Sequence, residues 1–163
     1  MRVLGIDPGT AITGYGLVEE VRGDLKLVAF GVIRTPAGQS LPRRLQLIYQ
    51  AVSDLAEEWE PEAAAVEELF FSRNVRTAMS VGQARGVALL ALADAGLDVA
   101  EYTPLAIKQA VTGYGSADKM QVQEMVRLLL ELAEVPRPDD AADALAVAIC
   151  HLHSARLAAL SEE

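Results

Sequence analysis

The acids of this chain fall where an acid is costly. The stretch "VLGIDPGTAITGYGLV" (residues 3–18) begins as a buried strand and sets Asp7 where the apolar run stops. An ionised carboxylate in such a place is unfavourable unless something compensates it. A second short apolar run, "AAAVEELFF", closes on Glu67 and Glu68, and "DDAADALAVAI" opens a helix with Asp140 and Asp143 three residues apart, on one face. Carboxylates gathered from these regions repel one another strongly without countercharge. Hard divalent cations relieve that repulsion, since Mg²⁺ takes carboxylate oxygens together with water and substrate phosphate. A pair of such ions, about 3.5–4 Å apart, suits in-line phosphodiester cleavage because it stabilises attacking and leaving oxygens together.

Each acid also has an ordinary reading. Asp7, before Pro8 and Gly9, suits a turn. Asp139 and Asp140 suit a helix N-terminus through capping and the macrodipole, and that is the role read for Asp139. Asp143 resists this reading, because it interrupts a helix that is otherwise apolar on every side. Glu67 and Glu68 point to opposite faces of their strand, so one of them is expected at a shared site, and alternation does not choose between them. Cys150, His151 and His153 lack a second ligand pair, and Cys150 and His151 project in different directions on one helix, which makes them structural rather than a metal set.

The elements that must position these acids are legible from patterning. Extended segments are expected over Arg2–Asp7, Gly14–Val21 and Leu25–Thr35, the latter two joined at "RGD" as a hairpin. Ser40 is placed as the N-cap of a helix whose stripe of Leu41, Leu45, Ile48, Val52, Leu55 and Trp59 repeats at helical spacing until Pro61. The strand ending in Glu67 and Glu68 follows, then a helix from Val75 to Ala95, a strand from Leu97 to Thr103 and a short helix from Pro104. Helices over Lys119–Glu134 and from Asp139 to about Leu160 complete the pattern, the last few residues being read as a flexible tail. The order predicts one α/β domain over residues 1–163 with a mixed sheet.

Composition sets the outer bounds. The 163 residues are 52% hydrophobic, which argues against disorder and gives enough chain for a sizeable core. Cys150, the single cysteine, excludes an internal disulfide and fits a reducing compartment. No signal-like segment is read at the N-terminus, and the longest apolar run, Ala144–Cys150, is far short of a membrane span, so a cytoplasmic protein with no membrane partner is expected. The net charge of −9 speaks against nucleic acid only on average, because Arg73, Arg76 and Arg85 lie in a stretch with no acid between them.

The blocks "GIDPGTAITGYG", "VEELFFSRN", "VGQARGVALLA", "IKQAVTGYGSADKMQVQEMV" and "DDAADALAVAI" resemble, in order and spacing, the signature blocks of the RuvC family of Holliday junction resolvases, from near the first residue to about His153. The resemblance implies a ribonuclease H-like fold, a mixed five-stranded sheet flanked by helices. It implies a homodimer that resolves a four-way DNA junction in recombination and repair by symmetric nicking of opposed strands, and direct contact with the branch-migration proteins RuvA and RuvB. The implied cofactor is Mg²⁺, two ions per active site, with Mn²⁺ able to substitute. The family's catalytic, metal-holding carboxylates correspond to Asp7, Glu67, Asp140 and Asp143, which selects Glu67 over Glu68. The implied reaction is in-line attack of water on phosphorus with departure of the 3′ oxygen, leaving 5′-phosphate and 3′-hydroxyl ends.

DNA contacts are expected from several positions. Phe70 matches the family's wedging phenylalanine and is the stacking candidate ahead of Phe71. Lys108 and Lys119 correspond to the family's essential lysines, and both flank a glycine-punctuated loop. Arg73 and Arg76, with Arg85 behind them, are phosphate candidates. Gly82, Ala84, Gly86 and Ala88 make a small-residue helix suited either to a dimer contact or to packing within the chain. Two other classes compete. Sugar kinase or Hsp70-type ATPases share a "D-x-G-T" after a strand but need a second such domain. A module that binds branched DNA without cutting it would not need the acids.

Overall fold

The computed structural model describes residues 1–68 and 74–162. Phe70, Phe71 and Arg73 lie outside the described residues. The chain runs β1 (Arg2–Asp7), β2 (Ile12–Val21), β3 (Asp24–Arg34), α1 (Leu41–Trp59), β4 (Ala63–Glu67), α2 (Val75–Asp94), β5 (Asp98–Tyr102), α3 (Pro104–Thr112), α4 (Lys119–Leu129) and α5 (Asp139–Ser161). The strands form one five-stranded sheet in the order β3-β2-β1-β4-β5. β1, β4 and β5 are parallel, whereas β2 is antiparallel to both β1 and β3. This is the mixed α/β sheet that the hairpin and the later strands lead one to expect.

Strand alternation divides the core into two layers. Leu4, Ile6, Leu17, Ala64 and Val66 pack against α1 and α2 through Ile48, Val52, Ala84, Ala88 and Leu92. Val3, Val18, Ala63 and Ala65 face the other way, onto α5 and the α3–α4 pair. By the same period of two, Asp7 follows Val3 and Gly5 on the α5 face, and Glu67 follows Ala63 and Ala65 on that face. Glu68 falls on the opposite side and is exposed.

α5 carries the buried run Ala144 to Cys150 and packs across this face of the sheet beside the α3–α4 pair. By length and composition alone this helix could cross a membrane. Here it is packed as the core helix, with Leu145, Val147 and Ile149 fully buried. Glycine lets it sit directly on the strands. A Cβ on Gly5 would overlap the Ala144 carbonyl oxygen, and one on Gly14 would overlap that of Asp140.

Some element ends differ from the pattern-based reading. Ser40 does stand at the N-cap of α1, but its side chain makes no capping bond. α4 stops at Leu129 instead of Glu134, because Glu131 adopts φ 53° and the Leu132 and Glu131 amides bond back to the carbonyls of Arg127 and Leu128, a Schellman closure. α5 runs through Ser161, one residue beyond the expected end near Leu160.

Candidate active site

The parallel strands β1 and β4 end side by side. Their register pairs Ile6 with Val66, and Asp7 and Glu67 are the next residues of each. Across the hairpin, Asp7 lies opposite Gly14, the position over which the Asp140 backbone passes. The first turns of α5 therefore deliver Asp140 and Asp143 to the edge where Asp7 and Glu67 emerge, close enough for their charges to act on Asp7. Sequence-distant acids meet because the helix that carries two of them has no side chain beneath it at Gly5 and Gly14.

The loop after Asp7 is held by hydroxyls. Thr13 Oγ1 donates to the Gly9 carbonyl at 2.7 Å, and Thr35 Oγ1 donates to the Thr10 carbonyl at 2.5 Å. Thr10 Oγ1 donates to the Ser80 carbonyl in α2 at 2.8 Å, and Arg44 Nε donates to Thr35 Oγ1 at 2.8 Å. Thr10, Thr13 and Thr35 are all buried, so these bonds satisfy groups that would otherwise be stranded. The motifs give no sign of this network, whose trace in the sequence is Thr10 and Thr13 just after Gly9, with Thr35 far along the chain.

Burial and mutual repulsion dominate the electrostatics. Asp7 is pushed up to about 8, first by burial and then by the charges of Glu67, Asp143 and Asp140. Glu67 rises to about 6 through burial and Asp143, against the opposing pull of Lys108 and Lys119. Asp143 is also raised, mainly by burial. At neutral pH Asp7 is thus held largely in its protonated form. The cluster has more negative charge than its neighbouring cations can balance.

Glu67, Asp143, Lys108 and Lys119 line a cleft of about 280 Å³, with Ile107, Val122 and Ala146 among its apolar walls. Lys119 Nζ stands 3.9 Å from Asp143 Oδ2 and 3.1 Å from Asp139 Oδ2. Asp139, read as a helix-terminal acid, is thus also an ion-pair partner. Among the described residues no three His, Cys, Asp or Glu side chains stand in a ready-made metal cage. A Mg²⁺ ion does not need one, because it keeps several waters and binds through one or two carboxylates plus phosphate. The donor set here is all oxygen and anionic, which fits a hard divalent cation and not a soft one.

The remaining candidates are placed as follows. Arg76 is exposed in the first turn of α2, and no described contact joins it to the carboxylates. Arg85 is not a free phosphate contact, since it pairs with Glu101 and its Nε donates to the Glu67 carbonyl at 3.4 Å. Cys150, His151 and His153 form no ligand set. His151 Nδ1 lies 2.8 Å from the Tyr102 hydroxyl, His153 Nδ1 lies 3.0 Å from the Ala110 carbonyl oxygen, and the Cys150 thiol faces the Ala106 carbonyl. Ala84 and Ala88 belong to the core between α2 and the sheet, while Gly86 opens on the outer face of the same helix.

The family model described as crossover junction endodeoxyribonuclease RuvC matches residues 3–151. The crossover junction endodeoxyribonuclease RuvC of Chloroflexus aurantiacus is 63% identical over 155 residues, covering 95% of this chain and 94% of its own. The Thermus thermophilus RuvC structure superposes with a TM-score of 0.90 at 41% identity, covering 97% of both chains. T. thermophilus RuvC in complex with Holliday junction substrate gives a TM-score of 0.92 at 40% identity over 97% of this chain and 96% of that one. The geometry of the acids and these likenesses agree: this chain belongs to the RuvC family of crossover junction endodeoxyribonucleases.

Proposed function

We propose that this chain resolves Holliday junctions, nicking opposed strands of a four-way DNA junction by metal-dependent phosphodiester hydrolysis. The observation that carries this reading is the meeting of Asp7, Glu67, Asp140 and Asp143 at one sheet edge, with Asp7 and Glu67 pushed up to about 8 and 6 by burial and mutual repulsion. Such a cluster is stabilised by cations and by little else. Divalent cations bound there, Mg²⁺ as two ions or Mn²⁺ in its place, supply the countercharge and Lewis acidity that phosphodiester hydrolysis requires.

The protein's own part is positioning. Asp7, on the central strand and before a hydroxyl-bonded loop, anchors the site. Glu67 and Asp143 present carboxylate oxygens to the cleft, and Asp140 accepts a hydrogen bond from the attacking water. Lys108 and Lys119, on the cleft wall, hold the scissile phosphate. Phe70, Arg73 and Arg76 follow the β4 edge in sequence and are assigned to the junction centre and its phosphates.

A junction has two opposed strands to cut, and a C2 homodimer presents one site to each. The outer face of α2 supports that assembly. Val75, Met79 and Leu90 are 74%, 61% and 55% exposed, and with Gly86 they share one face at helical spacing. Contact with RuvA and RuvB and a cytoplasmic location complete the reading by family.

The test is cleavage of a synthetic mobile four-way junction against linear duplex, with Mg²⁺ and with chelator. Paired nicks at symmetric positions, confined to the junction and abolished by chelator, are expected. Tight junction binding with no nicks under any divalent ion would overturn the enzyme and leave a branched-DNA binding module.

A further inference from the structure

Asp139 opens α5 one residue before the carboxylate cluster begins, and its contacts run away from that cluster. Its Oδ2 lies 3.1 Å from Lys119 Nζ, and its Oδ1 accepts a hydrogen bond from Gln123 Nε2 at 3.2 Å. Lys119 and Gln123 are four residues apart on one face of α4, so Asp139 reaches both at once. On its other side Lys119 Nζ is 3.9 Å from Asp143. The ammonium therefore sits between a carboxylate inside the cluster and one outside it. A lysine is a compact charge on a flexible stem. Without Asp139, Asp143 is its only described ion-pair partner, and the side chain would fold onto oxygens that a metal ion needs. With Asp139 it is held at the lip of the cleft that Glu67, Lys108 and Asp143 also line.

We propose that Asp139, steadied by Gln123, is a positioning residue that keeps Lys119 at the rim of the cleft, aimed at a substrate phosphate and off Asp143. The side chains of Lys119 and Asp139 are 55% and 50% exposed, so the pair adds little to folding stability and acts by direction. The inference rests on the nuclease reading of the site.

Two measurements test it. In the metal-free protein, the ¹⁵N-lysine ammonium signal assigned to Lys119 by its loss in Lys119→Ala is expected to exchange slowly in the wild type, to vanish in Asp139→Asn and to persist in Asp139→Glu. On a four-way junction under single turnover, Asp139→Asn is expected to slow nicking about tenfold and Asp139→Glu by less than about threefold, with no further loss when Asp139→Asn is added to Lys119→Ala. An unchanged ammonium signal in Asp139→Asn, or losses that multiply fully in the double variant, would overturn the proposal. If the wild type itself fails to nick, the nuclease reading falls, and the ammonium signal still decides whether Asp139 holds Lys119.

Discussion

Replacing Asp7 by asparagine is expected to stabilise the metal-free protein at alkaline pH. Folded, Asp7 titrates near 8 because it is buried among Glu67, Asp143 and Asp140; unfolded, it returns to 3.8. Between those values the folded chain keeps a proton that the unfolded chain has lost. Stability therefore falls as pH rises across this window, and below about pH 4 both states are protonated and the penalty disappears. The displacement of about four pH units, at about 1.4 kcal/mol each, sets a ceiling of roughly 5–6 kcal/mol above pH 8. Glu67 and Asp143 carry part of the same repulsion, so about 2–4 kcal/mol is expected from the single change. For a chain of this size that is roughly 5–15 °C in Tm. The assay is thermal unfolding of wild type and Asp7→Asn in chelator from pH 4 to 9. The gap should open with rising pH, and added Mg²⁺ should close or reverse it by stabilising the wild type more. A variant no more stable than wild type at pH 8.5 in chelator, or a gap that ignores pH, would mean that Asp7 is not held protonated by its neighbours.

Other outcomes follow from single residues. Glu67→Gln should cut single-turnover nicking about 10²–10³-fold, while the exposed neighbour Glu68→Gln stays within about threefold, as read by junction cleavage at saturating protein. Gly14→Ala should cost roughly 2–4 kcal/mol in denaturant unfolding, because its Cβ would collide with the Asp140 carbonyl and lift α5 from the sheet. Leu90→Asp, on the exposed outer face of α2, should convert the proposed dimer into monomers by sedimentation and uncouple the paired nicks.

Much of the architecture could be read before any coordinates. The stripe from Leu41 to Trp59 and the apolar run of β1 announce a helix and a central strand, and both stand where patterning puts them. What local pattern could not decide was set by tertiary register. Glu67 and Glu68 are equivalent by alternation until Ala63 and Ala65 are seen to face α5, which carries Glu67 to that face with them. The end of α4 was missed because Glu131, a residue with no turn signature, adopts the left-handed conformation that glycine usually supplies. Arg85 looks like a free cation in a stretch without acids, yet its partners come from β4 and β5, elements distant in sequence. Asp139 looks like an ordinary helix-terminal acid, and only the docking of α4 against α5 reveals Lys119 and Gln123 beside it.

In this reading the carboxylate cluster does the cutting, while the lysines and the surfaces beyond it hold the DNA. Junction affinity and single-turnover nicking, measured together for wild type, Asp7→Asn and Asp143→Asn in Mg²⁺, separate the two roles. Both variants are expected to bind the junction within a few-fold of wild type and to lose nicking by about 10²-fold or more. Variants that cut at wild-type rates would contradict it, because the reaction would then have to lie elsewhere on the chain.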